Sequence, residues 1–465
     1  MSKKIISVLL VVFLIASVFA GCASNTTGKD TSEGSKSTTS EQTKEETKQE
    51  EKQVSLSYWG YSRWKGITGT EPDGEYGDWQ RSVAKAFSEQ HPNVKIEYEH
   101  LPWDGGPEKV SVAIASKTQP DVLEDGTARF FGYAAMGALL PLDDYFTQEE
   151  LSDYVEGAWD LGKFTDGKHY MFPWANMVIH LLINKSMFKA AGAEHLLPQN
   201  EERTWTYDEF KEALKAVSNP AKGVYGTALY AGNEQGDSGT NALMWGFGAT
   251  IFNETLDKIV FNSPEGVKGV EFAKSLIDEG LAMPGAETIK ATEVLEYFKQ
   301  QKVAIHINGS SGLYGTVENA FKTGEVEEFE MDWAMYPTAP GVKPAFYANP
   351  VGLAVFKSGD ADREKWAVEL AKFATNTENS KALKAVKLIP VKKSAGNLYP
   401  GEPLMEWSAK VIKYARDPGL ASPAYAEMRA ALYPEMQAVY NGTKDPKTAL
   451  DDFAAKAQAS IDKYK

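Results

Sequence analysis

Signals for strands and helices alternate along this chain from residue 54 onward. Residues 54–59 alternate apolar and polar side chains as a short strand does, and residues 80–89 have the spacing of an amphipathic helix. Residues 94–100 then predict a second strand. Because strands and helices take turns in this way, the chain is predicted to form an α/β fold with a mainly parallel sheet covered on both faces.

The same alternation continues toward the C-terminus. Helices are predicted at 108–116 and at 130–140, where Pro141 stops the second one, and a buried strand begins between them at 121–123. Further elements are predicted at 178–184, 207–217, 263–278, 292–300, 303–307 and 362–375, and 403–464 is predicted to be nearly all helical. A chain of 465 residues is longer than one hydrophobic core usually serves, so we expect two domains.

The N-terminus has the pattern of an export signal. Two lysines precede an apolar run over residues 5–19, and two small residues stand before Cys22, the one cysteine of the sequence. Residues 19–22 resemble the lipobox of bacterial lipoproteins, except that Phe19 stands where leucine is usual. The resemblance implies that residues 1–21 are a signal peptide and that Cys22 carries a lipid anchoring the protein to the extracellular face of the cell membrane.

Residues 22–53 differ sharply in composition from the chain that follows. They are rich in Ser, Thr, Lys, Glu and Gln and almost free of apolar side chains, so they cannot build a core. We expect a disordered tether with a root-mean-square reach of roughly 30 Å. Because nothing in this segment could bury a thiol, a role for Cys22 as a small core residue fits poorly.

Charge and motif content exclude several classes of function. The net charge is -15, which disfavours nucleic acid and anionic lipid as partners. The sequence contains no Gly-x-Ser-x-Gly nucleophile elbow, no His-Glu-x-x-His metal motif and no phosphate-binding loop. We therefore expect a protein that is not an enzyme and that needs no cofactor and no metal.

A dense cluster of motifs lies between residues 169 and 217. It comprises the aromatic segment 170–174, the segment Asn-Lys-Ser-Met-Phe-Lys-Ala-Ala-Gly at 184–192, and Thr-Trp-Thr-Tyr-Asp-Glu-Phe at 204–210. These segments resemble the family 1 extracellular solute-binding proteins, the maltose-binding-protein-like receptors of carbohydrate ABC importers. Other pieces follow in the family's order at 92–96, 119–122, 137–143, 298–309, 336–341, 349–356 and 388–391.

Two residues of these motifs also have local structural reasons. Gly192 suits the end of a helix, where φ is often positive. Thr206 is a plausible N-cap, with Glu209 three residues later as its partner in a capping box.

The resemblance implies a two-lobed periplasmic-binding-protein-like fold of type II. One lobe would comprise residues 54–177 and 348–386, and the other 178–347 and 387–465, with crossover strands near 176–179, 348–351 and 386–391. The lobes would close around a sugar held in the cleft between them. We therefore expect a monomeric receptor that captures a carbohydrate, as an oligosaccharide, and delivers it to membrane permease subunits of an ABC transporter.

Candidate ligand-binding residues follow predicted strand ends, where open α/β sheets bind their ligands. Sugars offer flat C–H patches and a fringe of hydroxyls, which aromatic rings and polar side chains can bind together. The candidates after the first strand, after the third strand and at the first crossover are Trp59, Tyr61 and Trp64, then Glu124, Asp125 and Thr127, then Trp174 and Asn176. The family's contact positions imply Ser311 and Tyr433 in addition, and the remaining loop candidates are Tyr230, Asn233, Trp245, Asn308, Tyr314, Tyr347 and Asn349.

Other interpretations remain open from the sequence. A tryptophan beside a strand is more often a core residue than a ligand platform. Carboxylates are numerous enough that a surface glycoside hydrolase, which needs only two of them, is an alternative. A carbohydrate-binding adhesion or sensory module is a third. The acidic, glycine-rich loop at 73–78 is a possible Ca²⁺ site, but it lacks the EF-hand spacing and resembles a solvated turn.

Overall fold

The computed structural model describes residues 52–67, 71, 73–103, 105–255, 257–347, 350–420 and 422–464, and only the backbone of residues 127 and 128. The predicted signal peptide, Cys22 and nearly all of the predicted tether lie outside the described residues. So do Asn349 and the side chain of Thr127.

The strands and helices alternate as the sequence predicts. The strands are β1 (Val54–Tyr61), β2 (Val94–Leu101), β3 (Val122–Gly126), β4 (Phe172–Asn176), β5 (Ile179–Asn184), β6 (Tyr225–Ala228), β7 (Val303–Ser310), β8 (Met331–Ala334), β9 (Phe346–Tyr347), β10 (Val351–Val355), β11 (Ile389–Pro390) and β12 (Ala415–Arg416). The helices are α1 (Asp78–Gln90), α2 (Gly106–Ser116), α3 (Thr127–Ala135), α4 (Gln148–Ser152), α5 (Lys185–Ala190), α6 (Tyr207–Val217), α7 (Asp237–Gly246), α8 (Pro264–Asp278), α9 (Ala291–Lys299), α10 (Ser311–Lys322), α11 (Ala361–Ala374), α12 (Thr377–Ser380), α13 (Pro403–Val411), α14 (Tyr425–Tyr440) and α15 (Pro446–Asp462).

The first lobe is built on a six-stranded sheet with the order β11-β4-β10-β3-β1-β2. β1 pairs in parallel with β2 and with β3, whereas β10 runs antiparallel to both β3 and β4, and β11 runs antiparallel to β4. The prediction of a mainly parallel sheet is therefore wrong. The cause is that the chain returns from the second sheet and places β10 between β3 and β4, antiparallel to both.

Both faces of this sheet are covered, as predicted. Alternate residues of β1 enter two different cores, with Leu56 and Tyr58 on one side and Tyr61 on the other. The first core is completed by residues of α1 and α11, such as Phe87 and Leu370.

The second lobe contains a four-stranded sheet with the order β6-β7-β5-β8. β7 is parallel to β6 and antiparallel to β5, and β8 is antiparallel to β5. One face of β5 enters the large core of this lobe through Leu181 and Ile183, and the other packs Leu182 against Phe298 of α9 and Val317 of α10.

Strand pairing shows where the chain passes between the two sheets. It leaves the first sheet at Asn176 and enters the second at Ile179, and it has returned to the first by Val351. The third passage is predicted at 386–391, and β11 lies in this segment. Because Ile389 and Pro390 pair with β4, the first sheet extends to Pro390, and α13 then joins the core of the second lobe through Leu404.

Two predicted helical regions differ from the observed structure. The helix expected at 130–140 begins at Thr127 and ends at Ala135, because Gly137 has a φ of 71° and Leu139 then bridges to Phe356 in the sheet. The C-terminal region is interrupted between α13 and α14, where β12 pairs with β9.

The local predictions at α5 and α6 are confirmed. Gly192 lies just beyond α5 with a φ of 68°. Thr206 caps α6, and Glu209 completes the capping box by accepting a hydrogen bond from the backbone N–H of Thr206 at 2.8 Å.

Among the described residues, the helices are too short or too polar to cross a lipid bilayer.

Candidate functional site

The end of β3 and the first turn of α3 place an ion pair at the edge of the first sheet. Asp125 is fully buried, and its Oδ2 accepts a hydrogen bond from Arg129 Nε at 2.6 Å while its Oδ1 accepts from Arg129 Nη2. The pair is bidentate and joins the end of β3, where Asp125 lies, to the first turn of α3, where Arg129 lies. Burial disfavours the charge on Arg129, but Asp125 outweighs it and raises the pKa of the guanidinium.

A second buried carboxylate lies beside the first. Glu124 Oε2 accepts a hydrogen bond from Gln80 Nε2 at 3.0 Å, and Glu124 Oε1 lies 3.1 Å from Arg63 Nε. Burial raises the pKa of Glu124 and lowers that of Arg63, while each group opposes the shift of the other. Glu124 and Arg63 therefore form a second carboxylate–guanidinium pair at the same edge.

Aromatic rings lie beside the Asp125–Arg129 and Glu124–Arg63 ion pairs. Tyr61, at the end of β1, stacks on Trp103 with a centroid separation of 4.6 Å and an interplanar angle of 13°. The guanidinium carbons of Arg63 and Arg129 lie 5.1 Å and 5.8 Å from the Trp103 ring centroid. Trp103 remains 45% exposed, so the first lobe presents an aromatic and charged surface to its surroundings.

The second lobe presents a matching ion pair. Arg429 of α14 donates from Nε and Nη2 to the two carboxylate oxygens of Asp237, at 2.6 and 2.9 Å. Asp237 is only 4% exposed and is the first residue of α7. Its partner Arg429 lies 192 residues further along the chain. The Arg429 guanidinium also lies 5.6 Å from the ring of the buried Tyr425.

Buried polar groups with unused hydrogen-bonding capacity accompany this pair. Asn308 Nδ2 donates to the Tyr230 hydroxyl at 2.8 Å, and the Tyr230 hydroxyl donates to the Gln235 carbonyl at 3.2 Å. The buried oxygens of three predicted residues have no hydrogen-bond partner in the described part of the chain, namely Asn233 Oδ1, Asn308 Oδ1 and the Tyr347 hydroxyl. Such atoms are costly to bury unless a bound molecule or solvent satisfies them.

The two surfaces approach each other through α3 and α14. These helices are in contact, and Phe131 of α3 belongs to the core of the second lobe. Burial raises the pKa of the Tyr425 hydroxyl, and Arg129 of the first lobe is among the charges that act on it. The Asp125–Arg129 and Asp237–Arg429 pairs therefore both lie close to the contact between α3 and α14, and we call the surfaces around them the facing walls. The first wall comprises Tyr61, Arg63, Trp103, Glu124, Asp125 and Arg129, and the second comprises Asp237, Tyr425 and Arg429.

Other predicted residues lie in the core of the first lobe. Trp64, Trp79 and Trp174 stack on one another with centroid separations of 4.6 to 5.2 Å. Trp64 Nε1 donates to the Ala382 carbonyl and Trp174 Nε1 to the Ser380 hydroxyl. These two candidates are not brought together with Asp125 and Arg129.

The remaining candidates are scattered over both lobes. Trp59 is half-buried with Lys109 Nζ 5.1 Å from its ring centroid, and Asn176 is buried and accepts a hydrogen bond from the backbone of Met177. In the second lobe Trp245 is buried, the Ser311 hydroxyl donates to the Lys387 carbonyl, Tyr314 packs near Trp333, and Tyr433 is half-buried in α14.

Two concavities of the structure differ in how they relate to this site. A shallow one of about 710 Å³ lies on the outer surface of the second lobe, lined by Lys189, Gly192, Glu194, His195 and Gln199. A cavity of about 20 Å³ touches one wall of the site, since its lining includes Asp237, Tyr425 and Arg429. We favour the facing walls over the larger concavity, because the latter has no buried polar group directed into it.

The described residues contain no cluster of three or more His, Cys, Asp or Glu side chains suited to hold a metal ion. In the acidic loop at 73–78, Asp78 accepts hydrogen bonds from the Glu75 backbone and from Arg81.

A fold of two α/β lobes that meet at polar and aromatic surfaces is the architecture that the resemblance to solute-binding receptors predicts. Residues 72–381 match the model of the bacterial extracellular solute-binding protein family, and the chain belongs to this family. It is thus a bacterial extracellular solute-binding protein.

Individual relatives cover nearly the whole chain. A binding protein of Brucella abortus is 25% identical over 85% of this chain and 93% of its own. The sn-glycerol-3-phosphate-binding periplasmic protein UgpB of Brucella abortus is 24% identical over 86% of this chain and 92% of its own. The structure of the ABC substrate-binding protein Lmo0181 of Listeria monocytogenes in complex with cycloalternan superimposes with a TM-score of 0.70 and 20% identity, covering 88% of this chain and 98% of that one.

Several residues of the facing walls were not among the sequence candidates: Arg63, Trp103, Arg129, Asp237, Tyr425 and Arg429. The Asp125–Arg129 pair spans the junction of β3 and α3, so the helical spacing rule for ion pairs does not reveal it. The Asp237–Arg429 pair, separated by 192 residues, carries no local signal.

Proposed function

We propose that this protein captures a carbohydrate, and specifically an oligosaccharide, between its two lobes and delivers it to the permease of an ABC importer. The observation that carries the proposal is the pair of facing walls. Each wall combines a buried bidentate carboxylate–guanidinium pair with an aromatic ring. Rings suit the C–H faces of a sugar, and charged groups make strong hydrogen bonds to its hydroxyls.

The ligands for which similar proteins are named support this substrate class. The Listeria relative is described in complex with cycloalternan, and a further relative, 32% identical over 32% of this chain, is the diacetylchitobiose binding protein DasA of Streptomyces coelicolor. We extend this chemistry to the present chain and propose that it acts as a monomer.

We also propose that the mature protein is anchored by a lipid at Cys22 and carries residues 22–53 as its tether. The support is the sequence around residues 19–22 together with the lack of apolar surroundings for a thiol. An anchored receptor stays at a high effective concentration near its permease, because the tether limits how far it can diffuse.

Isothermal titration calorimetry with a panel of oligosaccharides tests the carbohydrate proposal. We expect at least one sugar to bind with a dissociation constant well below about 1 mM, which corresponds to a binding free energy beyond about -4 kcal/mol. If all sugars of the panel bind more weakly than this, the proposed substrate class is wrong.

The same samples test the proposal that the protein is not an enzyme. Incubation of the protein with the bound oligosaccharide should leave the number of reducing ends unchanged. New reducing ends would favour the glycoside hydrolase alternative, because hydrolysis of each glycosidic bond releases one.

A further inference from the structure

The charges of the facing walls indicate which carbohydrates the cleft accepts. Three guanidinium groups stand in these walls, on Arg63, Arg129 and Arg429. Each has a carboxylate partner within hydrogen-bond or ion-pair distance, and the partners Glu124, Asp125 and Asp237 are each at most 4% exposed. The walls therefore contain as many buried carboxylates as guanidinium groups.

Two lysines near the walls are also paired, whereas Arg416, which is in register with Tyr347 across β12 and β9, donates to the Ala249 carbonyl. Lys109 Nζ donates to Glu99, and Lys387 Nζ lies 2.9 Å from Glu402 and 3.8 Å from Glu318. Additional acidic groups act on the site, because Glu108 contributes to the raised pKa of Tyr61 and Glu234 to that of Arg429. Among the described residues of the two walls, the charge balance is thus neutral to slightly negative.

We propose, on the basis of the carbohydrate function proposed above, that the cleft selects sugars that carry no phosphate and no carboxylate. A phosphate monoester brings a charge of about -1.5 to -2 near neutral pH. Each carboxylate–guanidinium pair has no net charge, so it offers a phosphate a counter-charge only if the buried carboxylate is left without one. A neutral sugar needs no counter-charge and leaves these ion pairs intact.

The paired guanidinium groups still offer hydrogen bonds to a neutral ligand. An arginine has five N–H donors, and the bidentate pair with Asp125 uses only two of those on Arg129. Donors of this kind can bind sugar hydroxyls while the net charge of the ion pair stays zero. The stacked rings of Tyr61 and Trp103 add an apolar surface that an uncharged sugar ring can cover.

This inference separates the present chain from one of its relatives. UgpB of Brucella abortus is named for binding sn-glycerol 3-phosphate and is 24% identical over most of both chains. Membership of the family therefore does not decide between neutral and phosphorylated ligands, and the inference rests instead on the pairing of Arg63, Arg129 and Arg429 with buried carboxylates.

Calorimetry with matched neutral and anionic probes tests the inference. The probes are maltotriose and cellobiose as neutral sugars, and sn-glycerol 3-phosphate, glucose 6-phosphate and trigalacturonate as anions. We expect that only neutral sugars bind. If neither neutral probe binds, the panel is extended to further neutral oligosaccharides. Tight binding of an anionic probe with no neutral binder overturns the inference but leaves the solute-binding function standing. If neither class binds, the carbohydrate function fails and this inference fails with it.

Ionic strength gives a second readout that needs no variant. The affinity of a neutral ligand should change less than about twofold between 0.05 and 0.5 M salt, because only charged groups are screened. A loss of affinity of about tenfold or more over this range would show that the ligand is bound by its charge and would contradict the proposal.

The Asp237→Asn variant is expected to gain affinity for an anionic sugar. Removing this carboxylate leaves Arg429 without its counter-charge, so affinity for glucose 6-phosphate should rise at least about tenfold. Asp125→Asn does the same at Arg129 and serves if Asp237→Asn does not fold. Asp121→Asn is the matched control, since the buried Asp121 pairs with the partly exposed Arg363 at the opposite end of β3. Folded variants of both wall aspartates with unchanged phosphate affinity would refute the neutral-cleft proposal.

Discussion

At the scale of single residues, burial distinguishes tryptophans that look alike in the sequence. Trp174 is 1% exposed and stacks with Trp64 and Trp79, and its indole N–H is bonded to Ser380. Trp103 has one face on Tyr61 and is 45% exposed near two arginines. The first environment is that of a core residue, and the second is that of a side chain able to contact a ligand.

Alanine substitutions of these two residues should have opposite effects. Trp174→Ala is expected to lower the free energy of unfolding by about 3 to 5 kcal/mol, because it leaves a large cavity in the core. Trp103→Ala is expected to leave stability nearly unchanged but to weaken sugar binding by about 1 kcal/mol or more. Urea unfolding and calorimetry measure the two quantities.

The same experiment tests whether Trp174 is a ligand contact, which stays a prediction from the sequence. A Trp174→Ala protein of normal stability and weakened affinity would place Trp174 in the binding site and contradict its assignment to the core.

At the scale of elements, the antiparallel strands β5 and β7 place two histidines on one face of the second sheet. His306 pairs with Leu182, and His180 lies two residues before Leu182 on the same face. Both histidines are almost fully buried. Burial lowers the pKa of His180 to about 4, and burial together with the nearby His180 lowers that of His306 to about 4.

These histidines should make stability depend on pH. The unfolded chain binds protons on them below about pH 6.5, while the folded chain holds both neutral until about pH 4, so acid favours unfolding in this range. Their contribution is complete above about pH 6.5 and is lost as the pH falls from there toward 4. We expect roughly 2 kcal/mol of lost stability per histidine between pH 7 and pH 5, measured by urea unfolding.

Substitution identifies the source of the effect. His306→Gln should reduce the difference in stability between pH 7 and pH 5, whereas His195→Gln should not, because His195 is exposed. An equal pH dependence in the wild-type protein and both variants would exclude His306 as its cause.

At the scale of the whole molecule, the site belongs to neither lobe alone. Asp125 and Arg129 come from the first lobe, and Asp237 and Arg429 come from two distant segments of the second. A ligand that touches both walls stabilises their approach, which is the change a permease can recognise. The proposed lipid at Cys22 acts at this scale too, since it fixes where the molecule works without entering the site.

A Cys22→Ser substitution should separate location from binding. In cells, we expect the variant to leave the membrane fraction, because it lacks the sulfur that would carry the lipid. Its purified soluble form should bind the same sugar with unchanged affinity in calorimetry. Retention in the membrane fraction would contradict the proposed anchor, and weakened affinity would contradict its independence from the site.

The sequence by itself determined the α/β class, most element positions and local features such as the Thr206–Glu209 capping box, because these depend on neighbours within a few residues. It also carried enough ordered motifs to indicate the family. Tertiary structure alone decided that β10 runs antiparallel between β3 and β4, and that Arg429 meets Asp237.

Tertiary structure also placed Trp174 in a stack of three tryptophans and left Trp103 accessible. The physical reason is the same in each case. Pairing between distant segments follows from how whole lobes pack, and the spacing of residues along the chain does not encode it locally.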